Sequence, residues 1–480
     1  MGQLIPIGCV EALPGDTMQH HASVLIRVSP LVAPVFHPVT ARVHHFFVPN
    51  RLVWGLEHGD EGTFEDFITG GPEGDDAQNP PQVNTTETVK DLQDYLGIPR
   101  LSGVQINAMP IRAFNLIYNE YYRDQDLVPK RELEDMTIPL IAWQKDYFTS
   151  ARPWTQKGPD VTLPLGDRAP IYGIGTTGSP ATQNINVNET GGVNREYGAA
   201  WSSETTNAIV AEHDPDPGAG SDDPGIYADL QAATGGTIND IRRAFAIQRY
   251  QEARSRYGSR YTEYLRYLGV NPKDARLQRP EYMGGGTTQI NFSEVLQTSP
   301  EIPGEDQVSQ FGVGDMYGHG IAAMRSNKYR RYIEEHGYII SMLSVRPKTM
   351  YTNGIHRSWL RLTKEDYYQK ELEHIGQQEI MNNEIYADEG AGTETFGYND
   401  RYSEYRETPS HVSAEFRGIL NYWHMAREFE APPVLNQSFV DCDATKRIHN
   451  EQTQDALWIM IQHKMVARRL LSRNAAPRIF

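Results

Sequence analysis

Apolar residues alternate through "ASVLIRVSPLVAPVFHPVTARVHHFFVPN", residues 22 to 50: Val24, Ile26 and Val28, then Val39, Ala41, Val43 and Phe47. A repeat of two is the signature of half-buried strands, and the prolines between the runs mark where each strand stops. His45 falls in the apolar row and His44 falls with Thr40 and Arg42. Neighbouring side chains of a strand point to opposite faces, so the two histidines are expected to be wall residues rather than joint ligands of one metal. One should be packed and hydrogen-bonded, and the other should face polar surroundings.

The period then lengthens. In "MPIRAFNLIYNEYYRDQ" Pro110 suits a first helical position, and Ile111, Phe114, Ile117 or Tyr118, and Tyr121 share a face. Thr237 and Asp240 form a capping-type pair before "INDIRRAFAIQRYQEARSRYG", with Ala246, Tyr250, Ala253 and Tyr257 at helical spacing and Arg242, Arg243, Arg249, Arg254 and Arg256 on other faces. Helical insertions are therefore expected at about 90–150 and 237–270. Extended segments return at "GYIISMLSVRP", 337 to 347, and "SWLRLT", 358 to 363. The wall strands are thus expected mainly within 20–50 and 335–440. Strands, a helix-bearing excursion and strands again suit an antiparallel β-domain with large insertions, not a repeating βαβ chain. At 480 residues one elaborated domain of this kind can span the whole length.

Charge divides the chain. Its formal net charge is −17, which excludes a protein whose whole surface grips nucleic acid and confines any such contact to a patch. Residues 173 to 239 hold nine acids against the single base Arg195, amid Gly, Thr, Asn, Ser and Pro. Such a stretch buries little apolar surface, so 173–236 is expected to be an exposed acidic loop. The end reverses the sign: "QHKMVARRLLSRNAAPRIF" carries Lys464, Arg468, Arg469, Arg473 and Arg478 and no acid. Residues 461–480 read as a basic tail or short helix able to meet phosphates, or as an amphipathic end with Met465, Leu470 and Leu471 packed down. Cys9 and Cys442 stand far apart and imply no disulfide framework. No signal peptide and no membrane insertion are expected.

Catalytic signatures are missing. There is no His-x-His, no His-Glu-x-x-His, no Gly-x-Ser-x-Gly and no Gly-Lys pair. "GVGDMYGHG" places Tyr317 where a dinucleotide motif needs glycine, and reads as a flexible loop. "EYMGGGTTQIN" reads as a tight backbone passage or turn. No enzyme, no cofactor and no metal site is expected.

Taken together, "HHASVLIRVSPLVAPVFHPVTARVHHFFVPNRLVW", "FEDFITGG", "MPIRAFNLIYNEYYRDQDL", "RLQRPEYMGGG", "EHGYIISMLSVRP" and "EIYADEGAGTETFGYNDRYSEYRETPS" resemble, in order, the major capsid proteins of the Microviridae, especially the gokushovirus-like branch of these single-stranded DNA phages. The blocks run from about residue 18 to 440. The resemblance implies an eight-stranded antiparallel jelly roll with long insertions, sixty copies of which close a T=1 icosahedral shell around a circular single-stranded genome. It also implies contacts with a small basic DNA-packaging protein, a spike or pilot protein and a host receptor. By the same likeness the acidic insertion projects outward near threefold axes while the basic end faces the genome, in a virion assembled in the bacterial cytoplasm. A lectin-like or cupin-like jelly roll is the competing class.

Overall fold

The computed structural model describes residues 1–55, 63–69, 79–159, 161, 238–257, 260–296, 298, 316–387, 392 and 394–471, together with the short backbone segments 171–172, 174–175, 185–188, 194–197, 210–211 and 227–228. Two compact units emerge, residues 1–155 with 254–480, and residues 156–253.

The larger unit is built on one eight-stranded antiparallel sheet. Its strands are β1 (Leu4–Ala12), β2 (Thr17–Val28), β3 (Val39–Pro49), β4 (Glu281–Leu296), β5 (Met316–Arg325), β6 (Tyr329–Tyr332), β7 (Gly337–Pro347) and β8 (Leu457–Arg468). The long β4 serves two partners. Glu281 to Ile290 pair with β3, and Asn291 to Leu296 pair with β5. This divides the sheet into two leaves. Leaf A runs β1–β7–β3–β4. Leaf B runs β4–β5–β2–β8, with β6 continuing the β5 edge along β2. A mainly antiparallel, nearly closed sheet of this order is a jelly roll, as expected from the sequence.

The alternation that marks the strands also makes the core. Val24, Ile26 and Val28 of β2 and Ala322 of β5 meet Val39, Ala41 and Val43 of β3 and Leu343 and Val345 of β7 in one buried cluster between the leaves. Burial at roughly 25 cal/mol per Å² of apolar surface is what holds the leaves together. Leaf A is covered on its other side as well. Phe46, Val48, Ile340 and Met342 project outward onto α1 (Met109–Ile117), where Met109, Ile111, Phe114 and Ile117 are buried beside Trp143. Pro110 occupies the first turn of α1, as its spacing predicts, and a π-helical turn, Tyr118–Tyr122, extends it. With both faces covered, β7 reads as the buried run "IISMLSV", apolar on both faces but for Ser341 and Ser344.

His45 is fully buried and hydrogen-bonds through Nδ1 with Ser341 Oγ at 2.7 Å and through Nε2 with Ser326 Oγ at 3.0 Å. His44 points the other way and bonds Tyr122 Oη at 2.6 Å. The pair are wall residues on opposite faces, as the alternation requires.

Three segments depart from the sequence expectation. "EYMGGGTTQIN" is strand β4 rather than a turn. A bulge lies between Tyr282 and Gly284, where Gly284 has φ +129°, and a Cβ on Gly285 would sit 2.1 Å from the Val43 carbonyl oxygen. The glycines permit strand β3 to approach closely, which composition alone reads as a turn. Met316–Gly320 of "GVGDMYGHG" likewise belong to strand β5. "SWLRLT" forms no strand: Arg357–Trp359 is a single 3-10 turn, with Trp359 81% and Leu362 90% exposed.

In the smaller unit the described backbone forms short antiparallel pairs, 171–172 with 227–228, 174–175 with 210–211, and 185–188 with 194–197. Most of α2 (Ile238–Tyr257) also lies there, with Phe245 and Tyr250 exposed. Thr237 falls outside the described residues. A short helix, α3 (Tyr261–Tyr267), follows in the larger unit.

Candidate nucleic-acid interface

Among the described residues nothing is seen to cover the outer face of leaf B, which is largely exposed along β8. Its even-numbered β2 residues turn into the core, leaving Thr17, Gln19, His21, Ser23, Leu25 and Arg27 outward. The register aligns Lys464 of β8 with His21, Arg468 with Thr17 and Trp458 with Arg27. On the other edge of β2, Arg325 of β5 aligns with Ser23 and Arg330 of β6 with Gln19. None of the outward positions of β2, β5, β6 or β8 is Asp or Glu. Five cations from four strands, Arg27, Arg325, Arg330, Lys464 and Arg468, thus share a face with Trp458, Tyr332 and the exposed Met460 and Val466. On a chain of net charge −17 an acid-free cationic face is a pronounced asymmetry.

The proximity has an electrostatic consequence. Burial lowers the His21 pKa below the ordinary histidine value, and Arg325, Lys464 and Lys328 lower it further. Cations spaced along strands, with aromatic rings between them, are the elements that hold phosphates and stack unpaired bases.

The residues singled out in the C-terminal stretch separate. Lys464 and Arg468 lie on β8, exposed and on the cationic face. Arg469 is tied back: its Nε is 3.1 Å from the buried Asp16 carboxylate, and its guanidinium donates to the Glu11 carbonyl at 2.7 Å. Arg473 and Arg478 lie outside the described residues. The segment through residue 468 is a strand and not a short helix. Leu470 and Leu471 are exposed rather than packed down. Arg27, Arg325 and Arg330 escaped sequence reasoning, because only strand register brings them beside Lys464.

β8 is also fastened from within. His463 Nδ1 lies 2.9 Å from His20 Nε2, and His463 Nε2 hydrogen-bonds with the Ile7 carbonyl at 2.8 Å. His20 stacks on His463, meets His45 edge-on at 4.7 Å, and bonds Tyr329 Oη at 3.2 Å. Burial, then His463 and His21, push His20 down to about 4; burial, then His20 and the other histidines, push His45 down to about 3. A second kind of exposed surface lies on the connections after β7, where Trp359, Leu362 and Ile375 stand out to solvent on the isolated chain. Large exposed apolar side chains of this kind mark surfaces that meet other molecules. Among the described residues no group of three or more His, Cys, Asp or Glu is placed to hold a metal, and no helix is long and apolar enough to cross a membrane.

Comparison with known proteins finds relatives along nearly the whole chain. The chain is similar to the capsid protein VP1 of Bdellovibrio phage phiMH2K, 35% identical over 91% of this chain and 84% of that protein. It is 31% identical to capsid protein VP1 of Chlamydia phage 1, over 92% of this chain and 86% of that one. Capsid protein VP1 of Spiroplasma virus 4 is 28% identical, over 92% and 85% respectively. The family described as capsid protein (F protein) matches residues 1–462, from β1 into β8, and the chain belongs to that family of phage capsid proteins.

Proposed function

We propose that sixty copies of this chain tile into a T=1 icosahedral shell enclosing a circular single-stranded DNA genome, with the outer face of leaf B turned toward the nucleic acid. The observation that carries the reading is the acid-free cationic face built by Arg27, Arg325, Arg330, Lys464 and Arg468. Its work is containment, a structural role in the virion, through association and without covalent chemistry. Exposed apolar groups such as Trp359 and Leu362 supply contacts between copies. Many modest interfaces acting together give a stable closed body.

The acidic excursion 173–236 is assigned to the outside, near the threefold axes and toward the host receptor. Electrostatic complementarity assigns a small basic packaging protein to the acidic surfaces and a spike or pilot protein to the shell's exterior. Synthesis and assembly take place in the host cytoplasm.

Deleting the chain after Ile461 would remove half of β8 and unpin both leaves, so point changes are the appropriate test. Binding of oligo-deoxythymidylate to the full chain is measured against salt for wild type and for Lys464→Glu with Arg325→Glu. The slope of log affinity against log salt should flatten by about 0.7 per cation removed, more for reversal. Lys273→Glu, away from leaf B, should leave it unchanged. An unaltered slope in the double variant contradicts the assignment of this face.

A further inference from the structure

Behind leaf A lies a cavity of about 440 Å³, lined by the π-helical turn after α1, residues 141–152, the start of α3 and Arg346 at the end of β7. Six cations reach it, Arg123, Lys145, Arg152, Arg256, Arg260 and Arg346, against three carboxylates, Asp124, Asp126 and Glu263. The acids are already engaged. Asp124 pairs with Lys145 and, at 3.6 Å, with Arg152; Asp126 pairs with Arg152 at 3.1 Å. Glu263 accepts from Gln125 at 3.1 Å. Arg256 turns to Asp400 at 2.6 Å.

Three guanidiniums remain with no carboxylate in ion-pair reach among the described residues: Arg123, Arg260 and Arg346. Backbone carbonyls hold them in place. Arg123 donates to Val128 at 2.7 Å, Arg260 to Asn119 at 2.7 Å and to Arg123 at 3.0 Å, and Arg346 to Ala142 at 3.1 Å. Nε of Arg123 is buried with no hydrogen-bond partner among the described residues. Burial and the neighbouring Arg260 lower the pKa of Arg123, more than Glu120 and Asp124 raise it, and burial and Arg42 lower that of Arg346. Lining one cavity, held by carbonyls and without a carboxylate in ion-pair reach among the described residues, these charges are costly unless an anion joins them.

A second cavity of about 250 Å³ shares Ser150, Arg152 and Arg256 with the first. Its lining includes Ser255 Oγ, Gln377 Oε1 and Ser403 Oγ, all buried and lacking hydrogen-bond partners. The first chamber offers positive forks; the second offers these unpaired polar atoms beside Arg406, Asp400 and Glu407. Together they fall in the size range of small-molecule sites.

We propose that these joined cavities bind a phosphate monoester of mononucleotide size, its phosphate held by Arg123, Arg260 and Arg346 and its uncharged part by Ser255, Gln377 and Ser403. A carboxylate would satisfy only one guanidinium fork, whereas a terminal phosphate carries enough oxygens and charge for all three. The site is independent of the cationic face of leaf B and of shell closure, and its failure would leave both untouched.

Calorimetry on the purified full chain in phosphate-free buffer tests it with four probes: thymidine monophosphate, inorganic phosphate, thymidine, and oligo-deoxythymidylate lacking terminal phosphates. The monophosphate should bind about ten-fold more tightly than inorganic phosphate, and thymidine should give no heat. Arg346→Gln should weaken the monophosphate by about ten-fold or more while leaving the oligonucleotide unchanged. Should that variant misfold, phenylglyoxal modification of the wild-type chain replaces it: the monophosphate should shield Arg123, Arg260 and Arg346 from the reagent. No binding of the monophosphate at millimolar concentration, no shielding, or a folded Arg346→Gln chain with unchanged affinity overturns the proposal. An oligonucleotide that depends on Arg346 more than the monophosphate does would reassign the site to internal phosphodiesters and overturn the monoester claim.

Discussion

Leaf A and leaf B are built by the same alternation and finish differently. Leaf A is apolar on its inner face and, over Phe46, Val48, Ile340 and Met342, on its outer face too, where α1 and the residues around Trp143 cover it. Leaf B sends Val24, Ile26 and Val28 into the core and leaves outside a row of cations, aromatic rings and no acid. The strands of one leaf are sealed by the chain's own insertion; those of the other have no such cover among the described residues. In a protein this acidic, keeping every Asp and Glu off one sheet face is what makes a local anion-attracting surface possible.

The largest expected effect of a single substitution breaks the covered side. Phe114→Ala, at a fully buried position against leaf A, should cost about 3–5 kcal/mol in denaturant unfolding, through lost transfer energy and the cavity left behind. Met460→Ala on the bare face of leaf B, where the side chain is 66% exposed, should stay within about 0.5 kcal/mol. Equal losses at the two positions would erase the distinction.

Acid comes next, because it attacks the seam between the leaves. His45 sits on leaf A, while His20 and His463 sit on leaf B, and His20 and His45 are held neutral at folded values of about 4 and about 3. The unfolded chain takes up those protons near pH 6.5, before the folded chain does, so it binds more protons in the interval between. Stability should therefore be level above about pH 6.5 and fall as pH drops toward about 4. Each unit of depression is worth about 1.4 kcal/mol. Thermal melts across this interval check the sign. His20→Gln should flatten the profile, and a profile as steep as wild type in that variant would remove His20 from the account.

Arg469→Ala should have a smaller effect. It strips the partner from Asp16, whose side chain is buried, and should lower stability by about 1–3 kcal/mol while sparing nucleic-acid affinity, since Arg469 is already occupied by Asp16 and the Glu11 carbonyl. The smallest structural effect belongs to Lys464→Glu, within about 0.5 kcal/mol of wild-type stability even as oligonucleotide binding declines. Melting temperatures alongside binding isotherms separate the two outcomes.

What the sequence made legible followed the strength of its alternation. β2, β3 and β7 carry long, mostly apolar rows and were readable, and Pro110 placed the start of α1. β4 was hidden by its glycines, which mimic a turn although they serve a close approach between strands. β8 was hidden differently. Its partly buried apolar residues, Leu457, Ile461 and Met465, fall four apart because Ile459 is exposed and His463 fills an inward position, and that spacing imitates one face of a helix. Lys464 and Arg468 were found from the basic run, but their companions Arg27, Arg325 and Arg330 are scattered over three hundred residues of chain and become neighbours only through register. The arginines of the cavity behind leaf A have the same history: no linear pattern joins Arg123, Arg260 and Arg346.

Electron cryomicroscopy of assembled, genome-filled particles tests the central claim most directly. The account predicts an icosahedral shell of sixty copies with nucleic-acid density lying against Lys464, Arg325 and Arg27. A shell whose leaf B face looks out to solvent with the nucleic acid against another surface, or a purified chain that never closes into a particle, would contradict it.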